Sequence, residues 1–173
     1  MLLRAIAFGL LSLAALPIGA QSTPYNRPRT STAADLEAIT QVTVAFRAAL
    51  AKGDVPGLSS LLVDKGILFG SPPSPDAVRT RRARGNTEFT GAEPGGFAAF
   101  AAFVGGSSVP LEEKFYNIQV AQDGHLAWVV FDFEFLAAGK VENYGVESWQ
   151  MLKTADDRWK IMSVVWSSHG APK

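Results

Sequence analysis

The sequence predicts an α+β domain with helices on one face of a curved antiparallel sheet. Two observations carry that expectation. Apolar residues recur at helical spacing in the first half of the chain, and the last third breaks into four strand-like runs joined by turn-type connections. A third helical signature, three phenylalanines at i, i+3 and i+6, lies between them.

Helix expectations begin at Thr32, which with Asp35 resembles an N-cap followed by an acid in the first turn. Leu36, Ile39, Thr43, Phe46 and Leu50 then recur with helical period up to Gly53, a good helix stop. Asp54 can cap a second, short helix carrying Leu58, Leu61 and Leu62, and KGILFG at 65–70 reads as a short strand. Residues 71–94 hold SPPSP and the basic run Arg79, Arg81, Arg82 and Arg84; no regular element is expected there, and such a segment is either a binding loop or a solvated surface stretch. GGFAAFAAFVGG at 95–106 lines Phe97, Phe100 and Phe103 along one side of a short helix.

EKFYNIQVAQ, AWVVFDFEFL, ENYGVESWQMLK and RWKIMSVVWSSH are the four strand-like runs, separated by DG, AAGK and TADD. A two-residue hairpin at Ala138 and Gly139 and a four-residue TADD loop set the expected register. That register groups Trp128, Val130, Asp132 and Glu134 with Asn143, Gly145, Glu147, Trp149 and Met151, and with Met162, Val164 and Trp166. Phe131, Phe133, Phe135, Tyr144, Val146 and His169 fall on the opposite face.

Both expected faces are too apolar to meet water, and three short helices cover only one. The other is expected to meet a second copy, giving a homodimer through Phe131, Phe133, Tyr144 and Val146. The tryptophan face is the pocket expectation. Apolar walls around a few polar groups are what small-molecule sites are made of. Asp132 sits opposite Gly145, which leaves room, and a carboxylate among indoles has a raised pKa and can act as a general base. Trp128, Glu147, Trp149, Met162 and Trp166 would line the site. Arg81 or Arg82 would either stabilise an anionic oxygen or pair with the acids, in which case Asp132 and Glu134 form a wet rim without chemistry.

Composition bounds the rest. MLLRAIAFGLLSLAALPIGA, residues 1–20, has one basic residue, an apolar run and small residues before the expected cut, the layout of a signal peptide. The run is short of the ~20 residues that span a bilayer, so a secreted or periplasmic protein is expected, with no membrane association after cleavage. Residues 21–31 read as a disordered lead and 32–170 as one domain. With Arg4 removed, 15 basic face 16 acidic residues, which gives no electrostatic reason to expect nucleic acid. The chain has no cysteine and two histidines, His125 and His169, so neither a disulfide framework nor a histidine-rich zinc site is expected, and no cofactor is implied.

FRAALAKGDVPGLSSLLVD at 46–64 and DDRWKIMSVVWSS at 156–168 resemble the nuclear-transport-factor-2-like (NTF2-like) superfamily, which includes ketosteroid isomerases, SnoaL-like cyclases and scytalone dehydratase. The resemblance covers roughly residues 34–169. It implies a cystatin-like cone, a curved sheet wrapped on three helices with a pocket between them, and frequent dimerisation. It also implies that the pocket-lining pair of the isomerases corresponds to Met162 and Trp166. Where those isomerases carry a tyrosine this chain has Phe46, and where they carry the base aspartate it has Gly70 or Ser71, so steroid isomerisation is not expected. Three functions remain open: binding of a small apolar or aromatic ligand, a cyclase, isomerase or dehydratase reaction with Asp132 as base, and a non-catalytic interaction module.

Overall fold

The computed structural model describes residue 29, residues 31–91 and residues 95–171. The expected signal peptide at 1–20 and nearly all of the expected lead at 21–31 lie outside the described residues. No helix among the described residues is long and apolar enough to cross a membrane.

Helix α1 spans Ala33–Ala51, and Thr32 caps it by accepting from the Asp35 amide, as the sequence predicts. Helix α2, Val55–Ser60, is capped by the Asp54 carboxylate with Pro56 in its first turn. Strand β1 is Leu68–Gly70. The following segment, expected to lack regular structure, contains helix α3, Pro75–Ala83. Ser74 accepts from the Ala77 amide and Pro75 opens the helix, so the prolines that argued against structure here mark its start. Helix α4, Phe97–Gly106, carries the three phenylalanines.

Strands β2 (Leu111–Asp123), β3 (Leu126–Ala137), β4 (Lys140–Lys153) and β5 (Trp159–Trp166) form the antiparallel meander, and β6 (His169–Gly170) adds to the end of β4. The sheet is curved and unclosed, in the order β1-β5-β4-β3-β2, with β1 joining β5 in parallel. Ala138 (φ 50°) and Gly139 (φ 76°) make the expected two-residue hairpin, both with the positive φ that its twist requires.

Three register shifts interrupt the sheet, two of them in the strand pairs for which a register was expected. Leu136 pairs with Val141 as expected, but Phe135 pairs with Asn143, so a bulge next to the hairpin moves the rest of β3 by one residue. Phe131, Phe133 and Phe135 therefore face the helices and are buried, whereas Val130 and Asp132 face outward. Between β4 and β5 the loop holds five residues rather than four, because Lys153 pairs with Trp159. A second shift leaves Met162 between Ile161, opposite Met151, and Ser163, opposite Gln150. The third lies in β2 between Tyr116 and Gln119, where Asn117 has φ 52°.

The core is a continuous aromatic cluster under α1 and α4. Phe46 of α1 lies 5.1 Å from Trp149 and 6.3 Å from Phe100, measured between ring centres. Phe131 stands edge-on to Trp149 at 5.1 Å and packs against Phe115 at 4.2 Å. At the far end Asp35 anchors the start of α1, accepting from Gln122 Nε2 (3.0 Å) and Trp159 Nε1 (3.0 Å), with Lys153 Nζ at 3.2 Å.

Candidate active site

Alternation along three strands brings polar groups into this aromatic interior. Leu111, Glu113 and Phe115 share a face of β2, and Glu113 pairs with Phe135, which pairs in turn with Asn143. Four residues along the same face, Phe131 pairs with Glu147, which pairs with Trp166. The sheet therefore presents Glu113, Asn143 and Glu147 toward the helices between phenylalanine rings.

These side chains border a cavity of about 230 Å³. Its aromatic wall comes from Phe133 and Phe135 of β3, Trp166 of β5, Phe46 of α1, Phe69 of β1, and Phe100 and Phe103 of α4. Glu113, Asn143 and Glu147 are its polar lining. Phe103 is half-exposed and marks the mouth.

Both acids are buried, Glu113 at 6% exposure and Glu147 at 3%. Burial pushes the Glu147 carboxyl up to about 7, opposed by the hydrogen bond it accepts from Trp149 Nε1 at 2.5 Å. Burial, then the charge of Glu147, raise Glu113 well above the ordinary carboxylate range, with Arg47 opposing them. Arg47 does not pair with that carboxylate. Its Nε donates to the Glu113 backbone carbonyl at 2.9 Å, and its guanidinium lies over the Phe115 ring. The Glu113 carboxylate accepts no hydrogen bond from the described residues, and Asn143 Oδ1 is likewise buried and unpartnered. Two like charges in one apolar cavity cannot both ionise cheaply, so near neutrality the pair carries about one proton.

The expected site residues separate. Glu147 and Trp166 line the cavity, and Trp149 lies beneath Glu147 as its hydrogen-bond donor. Trp128 is half-buried on the outer face under the Arg29 guanidinium. Met162, the extra residue at the β5 irregularity, is half-buried and outside the lining. Arg81 lies over the Phe89 ring at 4.7 Å, and Arg82 Nε donates to the Phe89 carbonyl at 2.8 Å, so both hold the segment after α3. Asp132 is exposed on the outer face, opposite Val146, and accepts from Asn117 Nδ2 at 2.6 Å.

Gly145 does not open space beside Asp132 either. It pairs with Phe133, and a Cβ there would lie 2.3 Å from the Ser167 carbonyl, so the missing side chain admits the chain end after β5. His169, expected on the opposite face from Asp132, borders the same outer hollow, together with Tyr116, Glu134, Tyr144 and Ser167. Glu113 is the polar group that sequence reasoning missed. Its signal was the Leu111, Glu113, Phe115 alternation at the start of β2.

Comparison with solved structures decides the fold. An NTF2-like protein from Cytophaga hutchinsonii matches with a TM-score of 0.57 at 13% identity, covering 80% of this chain and 100% of that one. The fold is NTF2-like. A protein of unknown function with a cystatin-like fold from Nostoc punctiforme matches at 0.56 and 12% identity, covering 80% of this chain and 93% of the other. A candidate scytalone dehydratase from Novosphingobium aromaticivorans matches at 0.58 and 14%, covering 79% and 85%. No family model matches the chain, and no match is found among curated proteins. At these identities the likeness is one of architecture, and the fold hosts many activities.

Proposed function

We propose that this NTF2-like domain binds a compact, largely apolar or aromatic small molecule in the phenylalanine-walled cavity, oriented by Glu147 and Glu113. One observation carries the reading: two acids are buried at one aromatic-walled cavity, neither in a salt bridge with a cation among the described residues. Burying a carboxylate without a partner costs several kcal/mol, and a ligand that engages the pair offsets that cost. The wall is phenylalanine with one tryptophan rather than the expected ring of three tryptophans. Trp166 lines the space and Trp149 is hydrogen-bonded to Glu147 of its lining, so a bound ligand alters intrinsic fluorescence. Titration with a panel of aromatic and alicyclic metabolites tests this, and an unchanged spectrum across the panel supports a pure interaction module instead.

A second reading is an acid–base enzyme of cyclase, isomerase or dehydratase type. It is favoured by Glu147, whose pKa of about 7 suits proton transfer near neutrality. In this reading Glu147 takes the role that the sequence assigned to Asp132, since Asp132 lies on the other side of the sheet. Phe46 lines the cavity where the resemblance places a phenol, so that hydroxyl has no counterpart here. Glu147→Gln separates the readings: an enzyme loses orders of magnitude in turnover with binding nearly kept.

Export and dimerisation belong to the same proposal. The layout of residues 1–20 supports export, tested by fractionation and the mass of the mature N-terminus. Exposed Tyr116, Val130, Tyr144 and Val146 on the outer sheet face support a homodimer. Phe131 and Phe133 take no part in that surface, being buried in the core.

A further inference from the structure

We infer that the ligand is a protonated amine carried on an aromatic or compact apolar body, its ammonium group held by Glu113, Glu147 and Asn143. This rests on the proposal that the cavity is a small-molecule site and names the ligand class it selects.

Charge is the first argument. The polar lining consists of two carboxylates and one amide, with no lysine, arginine or histidine among the lining residues. A carboxylate or phosphate ligand would enter a space already holding buried negative charge, which low local polarity makes strongly repulsive. An ammonium group meets the opposite field.

Hydrogen bonding is the second. Glu113 is more than nine-tenths buried and lines the cavity, and its carboxylate accepts nothing from the described residues. Asn143 Oδ1 is also buried without a partner, and Glu147 is engaged through Oε1 by Trp149. The site thus presents more acceptors than donors, two carboxyls and the Asn143 Oδ1 against the Asn143 Nδ2 group and the one proton of the acid pair. A primary ammonium is the complement, with three N–H donors and no acceptor. Arg47, the cation that acts on Glu113, is held by the backbone carbonyl and the Phe115 face, so it leaves the carboxylate open toward the cavity.

The walls supply the third. Six phenylalanines and Trp166 surround these acceptors, and aromatic faces attract cations as well as apolar bodies. A neutral hydroxyl brings one donor to three acceptors; an ammonium can satisfy several and keep its charge against the rings.

The test compares three probes of one shape and different head-group charge: 2-phenylethylamine, 2-phenylethanol and phenylacetate, titrated calorimetrically near pH 8 with tryptophan fluorescence in parallel. The amine is expected to bind roughly tenfold or more tightly than the alcohol, with phenylacetate weakest. Glu113→Gln and Glu147→Gln, which keep the side-chain shape, are expected to reduce the amine's affinity to that of the alcohol. The wild-type comparison needs no variant, and thermal melts check that both variants fold. If the alcohol or phenylacetate binds as tightly as the amine, or the variants keep the preference, the amine assignment fails while the small-molecule site stands. If none of the three binds, both fail.

Discussion

Trp149 Nε1 donates to Glu147 Oε1 across 2.5 Å, from two positions further along the same strand and the same face. The bond favours the ionised carboxylate while burial opposes it more strongly, and the balance sets Glu147 near 7. Trp149→Phe keeps a ring against Phe46 and Phe131 but removes the donor. Glu147 should then titrate at higher pH than in the wild type, measurable by carbon NMR of the labelled side-chain carboxyl. The smaller ring leaves a void that costs roughly 1–3 kcal/mol of stability. An unchanged titration would show that the indole does not tune the acid.

The raised pKa also fixes a slope of stability against pH. An acid whose folded pKa lies above its unfolded value binds more protons when folded, so the folded state loses stability as pH rises between the two. For Glu147 that window runs from the ordinary glutamate range, about 4.3, to about 7. Chemical denaturation at pH 4.5, 6 and 8 should show the decline, and Glu147→Gln should flatten it and melt higher than the wild type at pH 8. The full effect is on the order of 4 kcal/mol at most. Equal slopes in the two proteins would mean that Glu147 is not neutral in the folded state.

Asp35 gives the opposite sign at lower pH. Hydrogen bonds from Gln122, Trp159 and Thr32, with Lys153 beside them, hold its carboxyl well below the usual range. A depressed pKa contributes stability above the unfolded value, about 3.9, and that contribution is lost as pH falls toward the folded value. Asp35→Asn should therefore destabilise the protein at pH 7, by roughly 2–3 kcal/mol given buried donors left facing an amide. The gap between the two proteins should narrow steadily as pH falls from 5 to 2. A gap of constant size across that range would assign the loss to packing.

Local chemistry was legible in the sequence, and its long-range propagation was not. Thr32 and Asp54 cap helices through their own side chains, and Ala138-Gly139 turns through its own φ angles, so each could be read in place. Register depends on every residue between the turn and the site. The bulge between Phe135 and Leu136 lies in an apolar run with nothing polar or glycine-like to announce it, yet it exchanges the two faces of β3. That single residue carried Asp132 from the expected pocket to the outer face and brought Phe131 and Phe133 inside. Glu147 and Trp166 stay on the face expected for them because the longer β4–β5 loop and the Met162 irregularity together shift that pairing by two residues.

The bulge also redraws the surface on which the homodimer is proposed. With Phe131 and Phe133 inside, the outer face is left with Val130, Tyr144 and Val146, each at least 40% exposed, beside Tyr116. Val146 is the informative position because its neighbour across the strand pair is Asp132. Val146→Lys places a cation directly opposite that carboxylate, an arrangement an exposed antiparallel pair tolerates well, and the Val146 amide keeps its hydrogen bond to Ser167 Oγ. The isolated fold should therefore melt within about 0.5 kcal/mol of the wild type, as exposed substitutions do. At a dimer interface the same lysine must be desolvated, and a buried charge without a full set of partners is costly. Light scattering after size exclusion at micromolar concentration should give twice the chain mass for the wild type and the single-chain mass for Val146→Lys. A wild type that is monomeric there, or a variant that remains dimeric, would remove this face as the dimer surface.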